Sequence, residues 1–140
     1  MASVGALPRV RRVILDAGGI LALARGDGVA RSVVERARRE GYVVVIPTPV
    51  LAQVHRGGRD HAMVDRVVKA VDALLPTSAD VARRAGELLA RSGMIDAVDA
   101  IVAAEALMSA PALILTSDPE DLACLVEHPP EARDIRLIGI

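Results

Sequence analysis

The sequence predicts a three-layer α/β/α domain with a mostly parallel central sheet, and residues 1–140 are expected to form one domain. Short apolar runs rich in Val, Ile and Leu alternate with longer segments whose apolar residues recur at helical spacing. Runs of the first kind are typical of strands buried on both faces. Strands that alternate with helices favour a parallel sheet covered by helices. With 140 residues, 52% of them hydrophobic, the chain can bury a sizeable core.

The first half of the chain is predicted to contain two strands and four helices. In order, these are a strand at Val13–Asp16, a short helix ending near Gly26–Gly28, a helix at Val29–Glu40, a strand at Val43–Ile46, a helix from Thr48 to about His55, and a helix at His61–Val71. Gly41 is a typical residue just after a helix end. Thr48 followed by Pro49 is typical of a helix start with Thr48 as the N-cap.

The second half is predicted to contain three strands and three helices. In order, these are a strand at Ala73–Pro76, helices at Thr77–Arg91 and Asp96–Leu107, a strand at Leu113–Thr116, a helix at Pro119–Glu127 and a strand at Ile135–Ile138. Thr77 is the candidate N-cap of its helix, and Pro119 occupies the first helical position of another.

Composition narrows the class of protein. The single cysteine, Cys124, excludes an internal disulfide and a cysteine-based zinc site, and it is expected to be a small buried residue. No apolar run approaches the roughly 20 residues of a membrane helix, and Met1–Pro8 lack the pattern of a signal peptide. We therefore expect a cytoplasmic protein with no membrane partner. The net charge of −1 favours no particular partner, and the near absence of aromatics disfavours base stacking.

Several aspartates stand where predicted strands end or helices begin. Asp16 ends the first strand, Asp118 follows the strand at Leu113–Thr116, and Asp96 and Asp99 share a helix face at the start of one helix. Ligands of open α/β sheets bind at the carboxyl ends of the strands. Helix capping is the alternative for Asp16, Asp96 and Asp118. Asp99 lies in an otherwise apolar run, where an unpaired carboxylate is costly.

Carboxylates that meet at one edge of a sheet repel one another unless a cation lies between them. Mg²⁺ or Mn²⁺ takes oxygen ligands and retains waters that a substrate phosphate can replace. The sequence contains no cysteine pair and no closely spaced pair of histidines, so a zinc site is not expected. The aspartates therefore predict a site for a hard divalent cation.

The chain resembles the PIN domain of VapC-type toxins from bacterial toxin–antitoxin pairs. The residues that carry the resemblance are Val13–Asp16, Pro49–Ala52, Asp99–Ala104 and Leu115–Leu122, in the family's order over essentially the whole chain. The resemblance implies a PIN-like fold, a metal-dependent endoribonuclease activity with Mg²⁺ or Mn²⁺ as cofactor, an RNA substrate, a homodimer, and neutralisation by a cognate antitoxin.

The resemblance also implies a set of site residues. Asp16, Asp99 and Asp118 match the family's acidic positions as metal ligands and catalytic residues, and Asp96 is a fourth candidate. Gln53 stands where the family usually has Glu; its carbonyl oxygen can ligate a cation but brings no charge, which leaves the activity open. Gly18-Gly19 replace small hydroxyl residues, and would either admit an RNA backbone or loosen the helix start.

Four further residues are secondary candidates. Thr116 would hydrogen-bond a carboxylate or a phosphate, or is an ordinary strand residue. Asp121 lies close to Asp118 in the sequence. Arg56 and Arg59, in the most basic stretch outside the N-terminus, are candidates for contact with RNA phosphates, although a solvated loop is the simpler interpretation.

The sequence thus predicts a PIN-like endoribonuclease, the toxin of a toxin–antitoxin pair. The first alternative is a catalytically weak PIN-like module that binds RNA or protein, with Gln53 as its mark. The second is a phosphotransfer or nucleotide-binding domain, which is disfavoured because the chain has no G-x-x-x-x-G-K loop.

Overall fold

Five strands and seven α-helices alternate along the part of the chain that the computed structural model describes, residues 10–127 and 129–140. The strands are β1 (Arg12–Leu15), β2 (Val43–Pro47), β3 (Ala73–Leu75), β4 (Ala112–Thr116) and β5 (Ile135–Gly139). The helices are α1 (Ala17–Ala24), α2 (Gly28–Arg39), α3 (Thr48–Val54), α4 (His61–Ala70), α5 (Ala79–Ser92), α6 (Ala97–Met108) and α7 (Pro119–Val126). A 3₁₀ helix, Pro130–Asp134, was not predicted.

The strands form one sheet in the order β3-β2-β1-β4-β5, and every pairing is parallel. This confirms the predicted α/β class. β1 lies at the centre with β2 on one side and β4 on the other, so the strand order reverses between β1 and β4. In sheets of this type such a reversal leaves a crevice at the carboxyl ends of the two strands, where ligands bind.

The helices lie in two layers, which confirms the predicted α/β/α arrangement. Right-handed connections place the helices between β1 and β3 on one face and the helices after β3 on the other. In agreement, α1 packs on α2, α3 and α4, whereas α5, α6 and α7 pack on one another. No helix among the described residues is long and apolar enough to cross a membrane.

The core is aliphatic and centres on β1. Val13, Ile14 and Leu15 are fully buried, as expected for a strand covered on both faces. α6 is the most deeply buried helix: residues 102–107 are all buried, and small Ala side chains let it lie close to the sheet. This burial gives the first turn of α6 a defined position relative to the end of β1.

Two predicted helix caps and one predicted burial are wrong. Thr48 is already helical and Pro47 is the N-cap, because β2 extends to Pro47. The N-cap of α5 is Ser78, not Thr77; the Ser78 hydroxyl accepts a hydrogen bond from the Val81 amide at 3.1 Å. Cys124 is exposed, since α7 turns Leu122, Leu125 and Val126 toward the core.

Candidate metal centre

The strand order brings two of the predicted aspartates, Asp16 and Asp118, to the same crevice. Leu15 of β1 pairs with Leu115 of β4, so Asp16 and Thr116 follow side by side at the carboxyl ends of the two strands. The Asp16 amide donates to the Leu115 carbonyl at 3.4 Å, which continues the pairing by one residue. Asp118 follows two residues after Thr116, at the N-cap position just before α7.

Asp16 is both a helix cap and a buried acid. Its side chain is 6% exposed, and its Oδ1 accepts a hydrogen bond from the Gly19 amide at 2.9 Å at the start of α1. Burial raises the pKa of Asp16 and the charge of Asp118 adds to the rise, while hydrogen bonds from the Thr116 hydroxyl and the Gly19 amide oppose it. Capping is therefore confirmed for Asp16.

Thr116 connects Asp16 with Asp118. Thr116 is fully buried, and its Oγ1 accepts a hydrogen bond from the Asp118 amide at 2.9 Å. The same hydroxyl donates to the Asp16 carboxylate. A hydroxyl can donate once and accept as well, so both bonds are possible together. The Thr116 hydroxyl therefore interacts both with the start of α7 and with the Asp16 carboxylate.

Asp96 and Asp99 approach the crevice from α6. Asp96 is the N-cap, and its Oδ1 accepts a hydrogen bond from the Asp99 amide at 3.0 Å. Asp99 itself is partly buried in the first turn of the helix. Capping is thus confirmed for Asp96, whereas Asp118 makes no side-chain capping bond to α7.

The charges around Asp99 show that the predicted acids share one electrostatic environment. The pKa of Asp99 is raised to about 6, first by burial and then by the negative charges of Asp96, Asp16, Asp118 and Asp121, in that order. Every charge in this set is a carboxylate. We call Asp16, Asp96, Asp99, Asp118 and Asp121 the acidic cluster.

A small groove continues from the cluster along the start of α7. It has a volume of about 230 Å³ and is lined by Ser117, Asp118, Pro119, Glu120 and Asp121. Its polar lining faces solvent, so a charged ligand can reach Asp118 and Asp121 from outside.

The donors of the acidic cluster suit a hard cation in kind, since all of them are carboxylate oxygens. Within residues 10–127 and 129–140, no three His, Cys, Asp or Glu side chains are yet gathered tightly enough around one point to hold an ion. One oxygen of Asp16 and one of Asp96 are bound to backbone amides. Side-chain rotation, chiefly of Asp99 and Asp118, would therefore have to complete a metal site.

Gln53, Arg56 and Arg59 are the remaining candidates from the sequence. Gln53 is partly buried on α3, which packs against α6, and the Arg56 Nε donates to the Gln53 carbonyl at 3.2 Å. Arg59 is exposed between α3 and α4. Within the described chain, no hydrogen bond or ion pair joins Gln53, Arg56 or Arg59 to the aspartates.

Gly18 and Gly19 have a role that neither interpretation of the sequence included. A Cβ on Gly19 would collide with the Leu115 carbonyl oxygen and lie 3.2 Å from its carbon. A Cβ on Gly18 would lie 2.7 Å from the Ser117 nitrogen and would collide with the Ser117 hydroxyl. The two glycines thus let α1 approach the end of β4, and Ser117 already occupies the space beside Gly18.

A buried acid outside the cluster was missed. Glu105 is 7% exposed and lies on α6 in the same apolar run as Asp99, which was the available signal. Burial raises the pKa of Glu105, and the charge of Arg12 at the start of β1 opposes the rise. Because Arg12 and Asp16 are at opposite ends of β1, Glu105 lies at the far edge of the sheet from the cluster.

No family model matches the sequence, and no curated protein matches it. Solved structures do. The chain is similar to one in the crystal structure of VapBC2 from Rickettsia felis bound to a DNA fragment from their promoter, with a TM-score of 0.69 and 16% identity over 92% of this chain and 98% of that one. The chain has a PIN-like fold.

Two further structures share the PIN-like fold. A toxin–antitoxin complex from Klebsiella pneumoniae contains a chain with a TM-score of 0.65 and 18% identity, over 91% of this chain and 96% of that one. The crystal structure of DNA-bound VapBC from Salmonella typhimurium contains a chain with a TM-score of 0.65 and 18% identity, over 93% of this chain and 98% of that one. The predicted fold is confirmed over nearly the whole length of these chains.

Proposed function

We propose that this PIN-like domain is a metal-dependent endoribonuclease and the toxin of a toxin–antitoxin pair. The observation that carries the proposal is the acidic cluster at the strand-order reversal, where burial, and then the negative charges of Asp96, Asp16, Asp118 and Asp121, raise the pKa of Asp99. Repulsion of this kind opposes folding, and a divalent cation would remove it.

Asp16, Asp99 and Asp118 would hold the ion, with Asp96 beside them. Mg²⁺ or Mn²⁺ bound there would supply polarisation of a phosphate and a more acidic water. The protein's own contribution is positioning. The Thr116 hydroxyl orients the Asp16 carboxylate, and Asp96 holds the start of α6 so that Asp99 faces the crevice.

The proposed reaction is hydrolysis of an RNA phosphodiester. The water oxygen forms a bond to phosphorus as the bond to the 3′ oxygen breaks, which leaves a 3′-hydroxyl and a 5′-phosphate. The groove along Ser117–Asp121 offers room for the nucleotide next to the scissile phosphate. Arg56 and Arg59 are exposed cations that could contact the RNA backbone beyond it.

We propose an antitoxin protein as a partner of this chain. The three similar structures are toxin–antitoxin or VapBC complexes, which supports a cognate antitoxin for this chain. We further propose a cytoplasmic homodimer, since two-fold dimers are the commonest closed assembly. Light scattering of the purified chain at tens of micromolar should return twice the chain mass of 14.7 kDa. A short neighbouring gene encoding a DNA-binding protein would support the antitoxin.

Cleavage of RNA tests the proposal directly. Purified protein with Mn²⁺ or Mg²⁺ should cleave single-stranded RNA, and Asp99→Asn or Asp118→Asn should abolish cleavage while the circular dichroism spectrum is retained. Asp80→Asn is the matched control, because Asp80 is an exposed aspartate in the first turn of another helix, α5. Equal cleavage by all variants would contradict the proposal.

A catalytically weak module that binds RNA or protein is the second candidate. Two observations favour it: Gln53 brings no charge to α3, and no three donors are gathered around one point among the described residues. This candidate predicts RNA retention in a filter-binding assay without cleavage at any concentration of Mn²⁺ or Mg²⁺.

A further inference from the structure

Two histidines meet at the junction of α3 and α4. His55 is the C-cap of α3, and His61 is the first residue of α4. Between them Gly57 and Gly58 both have positive φ, at +70° and +85°, which allows the chain to reverse direction there. As a result the ring centroids of His55 and His61 lie 4.8 Å apart, with 70° between the ring planes.

One nitrogen of this pair lacks a partner. Nδ1 of His61 is buried and makes no hydrogen bond. A buried polar atom without a partner costs free energy, and each such atom in a folded protein calls for an explanation such as an absent ion or water. A cation between the two rings would give this nitrogen the partner that it lacks.

The separation of the rings suits shared coordination of one cation. Imidazole nitrogens bind Zn²⁺ at about 2.0–2.1 Å, so each ring centroid lies roughly 3 Å from the metal and two such centroids lie about 4.5–5.5 Å apart at angles near 90–110°. The observed 4.8 Å falls in this range. Packing of two aromatic rings without a metal also allows this distance. The unpartnered nitrogen of His61 is therefore the observation that favours a metal site over simple ring packing.

A carboxylate lies near the two rings. Asp65 follows His61 by one helical turn, and its pKa is lowered, first by the hydrogen bond from Lys69 and more weakly by charges that include His61 and His55. His55 and Asp65 both line a cavity of about 460 Å³ between α3 and α4.

We propose that His55 and His61 form a binding site for a transition-metal cation of the class that imidazole prefers, such as Zn²⁺, Ni²⁺ or Cu²⁺. Among the described residues no third His, Cys, Asp or Glu completes a closed cluster, so the cation keeps positions open to water. The site differs from the acidic cluster in ligand type, since oxygen-only sites suit Mg²⁺ and imidazole sites suit softer cations. It does not depend on the proposed function.

Calorimetric titration of the untagged chain with Zn²⁺ tests the site. At pH 7.5 the chain should bind one Zn²⁺, and binding should weaken at pH 5.5 because protons compete with the metal for imidazole nitrogens. His55→Ala and His61→Ala should each lower the Zn²⁺ affinity by at least about tenfold. Loss of a residue that only supports a metal ligand already costs about this much. Thermal melts without metal check that both variants fold.

Two control variants distinguish Zn²⁺ binding at His55 and His61 from binding at His128 or at the acidic cluster. His128→Ala, which changes the third histidine of the chain, should bind Zn²⁺ as the parent does. Asp99→Asn should also retain Zn²⁺ binding, so failure of the nuclease proposal leaves this test intact. No binding by the parent, or equal binding by the parent, His55→Ala and His61→Ala, would overturn the proposal.

Discussion

The Asp96 carboxylate accepts a hydrogen bond from the Asp99 amide at 3.0 Å, and its charge also raises the pKa of the Asp99 carboxyl group. One side chain therefore stabilises the start of α6 and makes its neighbour harder to ionise. The arrangement is stable because the backbone bond is local and strong, whereas the repulsion disappears whenever Asp99 is protonated or a cation is bound. This relationship leads to the first two predictions.

Stability should depend on pH through Asp99. Its pKa in the folded chain, about 6, exceeds the ordinary value of 3.8, so folding favours the protonated form. Without added metal, the free energy of unfolding should fall as pH rises from about 4 to about 6 and remain lower above that range. Asp99→Asn removes this loss. In urea unfolding, the stability of the variant relative to the parent chain should therefore increase between about pH 4 and about pH 6. A stability difference between Asp99→Asn and the parent that does not change with pH would contradict the prediction. So would an equal increase for the Asp80→Asn control.

Charge on α3 should tune the response to Mn²⁺. Gln53→Glu adds a carboxylate to α3, which packs against α6, and Asp99→Asn removes one from α6. A ligand that binds only the folded state raises the melting temperature. The rise with Mn²⁺ should therefore be largest for Gln53→Glu, intermediate for the parent and smallest for Asp99→Asn. If thermal melts show one common rise, or none, the aspartates serve only in capping and packing.

The contact between Gly19 and Leu115 should not tolerate a methyl group. Gly19→Ala would force the Cβ against the Leu115 carbonyl, and overpacking of this kind costs roughly 1–3 kcal/mol. Gly86→Ala is the control: Gly86 lies within α5 with no neighbouring atom near its Cβ position, so alanine should stabilise the chain by about 0.5–1 kcal/mol. Urea unfolding measures both, and a Gly19→Ala variant as stable as the parent would refute the close contact.

The Thr116 hydroxyl should control both stability and the ionisation of Asp16. Thr116→Val leaves the Asp118 amide without its partner, which should cost about 1–3 kcal/mol. It also removes the hydrogen bond that lowers the pKa of Asp16, so that pKa should rise further. Thr116→Ser keeps the hydroxyl and should leave the pKa of Asp16 unchanged. Carboxyl chemical shifts followed by NMR against pH distinguish the variants, and equal behaviour of Val and Ser would disprove this role.

The sequence by itself determined the kind and order of the secondary structure. Apolar runs such as Val43–Ile46 and amphipathic segments such as Val29–Glu40 are local patterns. The observed β2 differs from its prediction by one residue at one end, and α2 by one residue at each end. Helix starts were less predictable where two candidates adjoin. Thr77 and Ser78 can both cap a helix, and the path of the chain after β3 decides between them.

The sequence also determined that aspartates end β1 and begin α6 and α7, because those positions follow from local boundaries. Only the tertiary structure decided that these ends meet. Placing β1 beside β4 brings Asp16 next to Thr116, although a hundred residues separate them in the chain. Strand order depends on how whole helices pack on both faces of the sheet, and no local pattern encodes it. The contact of His55 with His61 likewise depends on the reversal at Gly57-Gly58, where backbone conformation rather than residue spacing brings the rings together.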